Sequence, residues 1–206
     1  MSRNFIIGAV VVLVVVISLI YALQGGQTTQ DYYASIKKER EEKDRFMRVS
    51  SESPFKEAEL AFTGLKYYDP DVRYKVTARL IPIREKQLRT LSTNDGLEKR
   101  YMEYAYAEFE IGNYTQRLLI LEIIDMGPYR GTLFLAFGDA TSAKETYGAG
   151  RYIDIKKPAG NTLVLDFNTA YNPYCAYAEE FSCPLPPKEN LLEVAIRAGE
   201  KNYHED

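Results

Sequence analysis

Histidine is almost missing from this chain: His204 is the only one, two residues from the end in "KNYHED". A Ser-His-Asp or Cys-His mechanism needs an imidazole held within hydrogen-bond reach of its nucleophile, and chain ends are seldom held that firmly. Nucleophilic catalysis of this kind is therefore excluded. Two cysteines and one terminal histidine also fall short of the four N or S ligands of an ordinary zinc site, so no metal or other cofactor is expected. There is no excess of basic charge either. The 26 Lys and Arg against 29 Asp and Glu, net −3, are mixed along the chain and leave no stripe to neutralise phosphates. Nucleic acid is not an expected partner.

Charge is also absent from Phe5 to Leu23, "FIIGAVVVLVVVISLIYAL". As a helix this run spans a hydrocarbon core of about 30 Å. It exceeds the roughly 7 to 15 apolar residues of a cleaved signal peptide, and "YALQGG" is a poor cleavage site. Residues 1–24 are thus expected to form a transmembrane anchor, with secretion after signal cleavage as the alternative. Arg3 precedes the run, and no Lys or Arg follows until Lys37, which keeps the amino terminus cytoplasmic. The rest of the chain is placed outside the cytoplasm, in the periplasm or at the cell surface.

Residues 25–53 read as a linker and a charged amphipathic helix. In "KKEREEKDR", Glu39 lies four before Lys43 and Glu41 four before Arg45, a spacing that supports a solvated helix. It ends at "SSESP". Beyond Pro54 the pattern changes to short period-two segments bounded by Gly, Asn, Asp and Pro. Strands are expected at Tyr74–Ile81, Lys99–Ile111, Thr115–Ile123, Gly131–Phe137, Arg151–Lys156, Thr162–Asn168 and Leu191–Arg197. Gly112-Asn113 and "PAGN" (Pro158 to Asn161) are expected to join hairpins. The fold class is mainly β: residues 54–203 form an antiparallel β-sandwich or a small β-barrel, because that many short strands must cover their edges or close. The 17 tyrosines suit half-wet strand positions, or a ring-lined groove.

Both cysteines lie in "AYNPYCAYAEEFSCPLPP", Ala170 to Pro187. Outside the cytoplasm such a pair is normally bridged, so a Cys175–Cys183 disulfide is expected to brace a proline-stiffened loop. This loop follows the strand carrying Asp166 and Asn168, which share one face. If "PAGN" is a hairpin, Arg151 and Tyr152 stand across from them, with pairing to Asp166 dependent on register. Arg151, Tyr152, Asp166, Asn168, Tyr171, Asn172 and Tyr177 are the candidate ligand-binding residues. Asp166 with Asp154 or Glu145 would serve as paired carboxylates of a glycosidase only at about 5 to 9.5 Å. The loop Gly138 to Gly150 is rich in oxygen but lacks a calcium-loop pattern and reads as a capped turn.

Several stretches carry a resemblance. "SPF" (Ser53 to Phe55), "FTGLKYYDPDVRYKVTARL" (Phe62 to Leu80), "DATSAKETYGAGRYIDI" (Asp139 to Ile155) and "LDFNTAYNPYCAYAEEFSCPLPPKENLLEVAIRAGEK" (Leu165 to Lys201) resemble the family catalogued as domain of unknown function 1684. Ala143 departs from that pattern, where glycine is expected. The resemblance implies uncharacterised bacterial envelope proteins and no activity. Three functions follow as expectations: a membrane-anchored domain binding a protein or glycan partner in the cell envelope, an envelope hydrolase using Asp166 with Arg151 and Asn168, or a purely structural module.

Overall fold

The computed structural model describes residues 13–16 and 28–204. The anchor expected at Phe5 to Leu23 lies outside the described residues, apart from the helical, exposed residues 13–16. Among the described residues no helix is long and apolar enough to cross a membrane.

Helix α1, Thr29–Val49, starts on a reciprocal cap. The Asp31 amide donates to Thr28 Oγ1 at 3.1 Å and the Thr28 amide to Asp31 Oδ2 at 3.2 Å, which satisfies donors that the first turn leaves free. The helix is not a solvated spacer. Tyr32, Ile36 and Met47 are buried, and between them Arg40 and Lys43 also turn inward, toward the β domain. The expected Glu39–Lys43 and Glu41–Arg45 pairs are replaced by Lys37–Glu41 and Lys38–Glu42, exposed pairs at 3.8 and 3.9 Å. A short helix α2, Pro54–Glu57, buries Phe55 against Phe62, Tyr177 and Tyr203.

Seven antiparallel strands follow: β1 Lys75–Pro82, β2 Leu88–Ser92, β3 Glu98–Ile111, β4 Tyr114–Ile123, β5 Leu133–Phe137, β6 Arg151–Ile155 and β7 Thr162–Asp166. They form one curved half-barrel sheet in the order β6-β5-β4-β3-β1-β7, with β2 also paired to β3. The register places β1 and β2 in succession along β3. Gly112-Asn113 turns β3 into β4 with Ile111 opposite Tyr114, as expected. Leu118, Leu119, Ile120 and Leu121 of β4 are all buried, so this central strand is covered on both faces and its apolar run is continuous. Leu118 and Ile120 join Phe137, Leu165 and Phe167 in the main core, and Leu119 and Leu121 pack with Leu91 and Tyr101 on the other face.

Two strand expectations are corrected. "PAGN" does not join a hairpin, because β6 pairs with β5 and β7 with β1. The loop instead crosses between opposite ends of the strand order, and the two ends are stitched just past β7. There the Tyr152 amide donates to Tyr171 O at 2.8 Å and the Tyr171 amide to Tyr152 O at 3.0 Å. Leu191–Arg197 is irregular, because other groups already occupy its backbone: Ile196 N donates to Asp139 Oδ1 at 3.2 Å and Ile196 O accepts from Arg151 Nη2 at 2.9 Å. Just before it, the wholly buried Asn190 stands in for a missing ladder. Its side chain bonds Leu119 N and O and Ala136 O where β4 and β5 have parted.

Candidate functional site

The face of α1 that carries Glu39, Lys43, Phe46 and Met47 stands opposite Asp154 and Lys156, from β6 and the residue after it, and Thr169, Tyr171 and Tyr174 beyond β7. Together they line a cleft of 650 Å3. A neighbouring chamber of 20 Å3 shares Glu39, Lys43, Thr169 and Tyr171 and adds Arg40, Tyr67 and Asn168.

One wall is fixed by a buried carboxylate. Glu200 is fully buried and receives four donors. Oε2 accepts from Lys43 Nζ at 3.2 Å and from the Asn172 amide at 3.3 Å, while Oε1 accepts from Asn172 Nδ2 at 2.9 Å and from Tyr177 OH at 2.5 Å. A buried charge persists only with such saturation. Gly199 makes the placement possible. Its φ is +77°, and a Cβ there would meet the carbonyls of Ala170 and Phe167 at 2.6 and 2.7 Å, so glycine alone fits this close approach.

Lys43 also lies 4.3 Å from the centre of the Tyr171 ring, a cation–π distance, and Tyr171 OH donates to Asp154 Oδ1 at 2.7 Å. Burial first, then the Asp154 charge, pushes the Tyr171 phenol well above its usual range, so it stays a donor. Burial likewise raises the Glu39 carboxyl, with the charge of Asp166 adding to it. Among the described residues, neither the Glu39 carboxylate nor the Lys156 ammonium makes a hydrogen bond or ion pair. In the small chamber, Arg40 Nε and Tyr67 OH are buried donors without partners, and a space of that size holds a single water-sized group.

The family described as "Protein of unknown function (DUF1684)" matches residues 60–201. The chain belongs to this family. It is similar to the solution NMR structure of an uncharacterized protein of Haloarcula marismortui, with 35% identity and a TM-score of 0.63, over 86% of this chain and 98% of that one. No curated protein matches. The family and its relative supply a shared fold and no activity, so the chemistry must be read from this chain's own residues.

Of the candidate residues, only Tyr171 lines the large cleft. Arg151 and Asp166 are not brought together. Arg151 is 1% exposed and pairs with Asp139 at 2.8 Å, while Nη1 donates to Ala198 O and Glu200 O. It fixes the chain end and does not face a ligand. Asp166, opposite Lys75 on β1, accepts from Tyr32 OH at 2.8 Å, and Asn168 bonds Asp71 N and O at 2.8 Å. Tyr152 OH donates to Pro184 O at 2.6 Å, and Asn172 and Tyr177 serve Glu200. Asp166 and Asn168 do meet, with Asn168 Nδ2 donating to Asp166 Oδ1 at 3.1 Å, but Arg151 stands apart from them, so the three-residue hydrolytic set is not assembled; Glu145 is engaged by Arg197 at 2.9 Å.

Cys175 and Cys183 are free, buried thiols and not the expected bridge. They adjoin each other, with the Cys175 amide donating to Cys183 Sγ at 3.3 Å. Among the described residues no group of three or more His, Cys, Asp or Glu is placed to hold a metal ion.

The residues missed in sequence are chiefly those of α1. Its inward stripe is Tyr32, Ile36, Arg40, Lys43 and Met47, at helical spacing. Two cations in the middle of that stripe hid an apolar face, since long basic side chains bury their stems while their heads reach polar partners.

Proposed function

We propose that the chain is a membrane-anchored, extracytoplasmic binding domain whose cleft between α1 and the β6 edge takes a neutral glycan of the cell envelope. The cleft lining carries this reading. Tyr171, Tyr174 and Phe46 supply ring surface, while the lining carries two acids, Glu39 and Asp154, and two bases, Lys43 and Lys156, of which Lys43 is already paired with Glu200. Apolar walls with a few convergent polar groups are the usual form of a ligand site. A pyranose offers an apolar C–H face to a ring and hydroxyls that both donate and accept. The free carboxylate of Glu39 and the free ammonium of Lys156 have that kind of partner to gain. A nucleotide or other polyanion would leave two carboxylates uncompensated.

The uncharged run Phe5 to Leu23 supports the anchored placement, with Arg3 on its cytoplasmic side. Binding is favoured over catalysis because the hydrolytic set expected at Asp166 lacks Arg151, which is buried against Asp139, while Asp166 and Asn168 are tied to each other and to Tyr32 and Asp71. Calorimetry of the full chain with the N-acetylglucosamine trimer, a neutral envelope-type probe, tests the reading. Measurable heat in the wild type that disappears in Tyr174→Ala supports it. Absence of binding to that probe and to a panel of other neutral oligosaccharides, with capture of an anionic polymer or a protein instead, overturns it.

A further inference from the structure

Cys175 and Cys183 play no part in the cleft, and their surroundings are specific. Cys183 is pinned on both sides: its amide donates to Asn94 Oδ1 at 2.7 Å, and its carbonyl accepts from the Asn94 amide at 3.1 Å. Pro184 follows directly, fixing the backbone. Cys175 sits in the tight turn Tyr174–Ala176, which aims its N–H at Cys183 Sγ at 3.3 Å. Tyr147 OH donates to Cys175 Sγ at 3.6 Å. Lys99 Nζ is held at Ser182 O, 2.8 Å away, on the residue before Cys183. Each cysteine is 8% exposed, so neither residue is wholly sealed.

We propose that this pair, in the reduced form the structure holds, is a peroxide-reactive site in which Cys183 is the attacking thiolate and Cys175 the resolving thiol. A backbone N–H, a neighbouring thiol and a nearby ammonium all favour negative charge on Cys183 Sγ. Hydrogen bonding from Cys175 is the largest of these influences, and the Cys183 thiol is lowered to about 7 while Cys175 is raised. The titratable groups facing the pair are Lys99 and Tyr101 of β3, Tyr147 from the preceding loop and Tyr152 of β6. Burial raises the three phenols, which keeps them neutral donors.

The chemistry balances. Cys183 Sγ attacks one oxygen of hydrogen peroxide, the O–O bond breaks, and the leaving hydroxide takes a proton to become water, giving a sulfenic acid on Cys183. Cys175 Sγ then attacks that sulfur, the S–O bond breaks and the S–S bond forms. The departing hydroxide leaves as a second water with the Cys175 proton. Two thiols are oxidised by two electrons in all, and one peroxide is reduced to two waters.

The test uses the full chain, reduced and then freed of reductant. With hydrogen peroxide, non-reducing peptide mapping should find an intramolecular Cys175–Cys183 link. In Cys175→Ala the reaction should stop at Cys183, where dimedone traps the sulfenic acid, and Cys183→Ala should give no adduct at Cys175. The iodoacetamide rate at Cys183 should rise about tenfold between about pH 6 and pH 8 and then level off. No link in the wild type, dimedone capture at Cys175 instead of Cys183, or a rate still climbing steeply past about pH 8 would each overturn the assignment. If an alanine variant fails to fold, the wild-type mapping and pH profile decide alone.

Discussion

Lys43 and Glu200 meet across 3.2 Å, one on the first helix and the other near the opposite end of the chain, with the carboxylate wholly buried and the ammonium side chain 26% exposed. This pair closes the molecule. It ties α1 to the final segment and sets the wall on which Tyr171 stands. Glu200→Ala would leave Lys43 and Tyr177 OH without the Glu200 carboxylate and Asn172 Nδ2 with Lys201 O alone, and should cost about 3–5 kcal/mol, the range for breaking a buried pair. Lys43→Met keeps the packing stem and leaves Glu200 with Asn172 and Tyr177, so a smaller loss of about 1–3 kcal/mol is expected. Urea denaturation of both variants checks the order. An equal or greater loss for Lys43→Met would contradict the assignment of Glu200 as the hub.

Arg151 has a structural task. Its guanidinium serves Asp139 and the carbonyls of Ile196, Ala198 and Glu200, a planar fork that an ammonium does not reproduce. Arg151→Lys should therefore destabilise by about 3 kcal/mol or more, yet leave the affinity of the fraction that remains folded unchanged. Calorimetry at a temperature where the variant is folded separates the two effects.

Asn190→Ala removes three bonds to buried backbone groups of Leu119 and Ala136. Leaving such groups unpaired costs about 1–3 kcal/mol each at most, so a total loss of a few kcal/mol is expected, with amide exchange quickened first at Leu119. Protection at Leu119 unchanged in the variant would show that β4 and β5 close without this side chain.

Ala143 holds φ at +60°, the left-handed region that a Cβ disfavours by roughly 1–2 kcal/mol. The family resemblance led to glycine being expected there, and the backbone supplies the reason. Ala143→Gly should raise stability by up to about 1 kcal/mol after the extra freedom of the unfolded glycine is set against it. A lower Tm in the glycine variant would run against this.

Burial raises the Glu39 carboxyl, so the folded state holds that proton more tightly than the unfolded chain does. The stabilising contribution is fully present below the ordinary glutamate value of about 4.3 and is lost as pH rises through the higher folded value. Glu39 is exposed, which keeps the effect small. Glu39→Gln should flatten this limb of the Tm–pH curve without lowering Tm at neutral pH, while weakening glycan binding. Thermal melts across that window decide the matter.

The strand pattern was legible because β3 and β4 alternate or run apolar, and Gly112-Asn113 announces their turn. Pairing was not legible. "PAGN" sits between two period-two segments, and nothing local reveals that each prefers a partner far away in sequence. Leu191–Arg197 alternates like a strand because Leu192 and Ile196 face the core, but its backbone is claimed by Asp139 and Arg151, a long-range event. Among the candidate site residues, Tyr171 was found through its loop. Glu39, Lys43 and Lys156 escaped because charged residues on a helix or a strand end look solvated until the surface opposite them is known.

The central claim is that the space between α1 and the β6 edge is a glycan site, and backbone amide NMR shifts during titration of the full chain with the N-acetylglucosamine trimer test it most directly. The account predicts saturable shifts concentrated at Glu39, Lys43, Asp154, Lys156, Tyr171 and Tyr174. Silence at those six positions, or shifts confined to another surface such as that around Leu185 and Leu191, would contradict it.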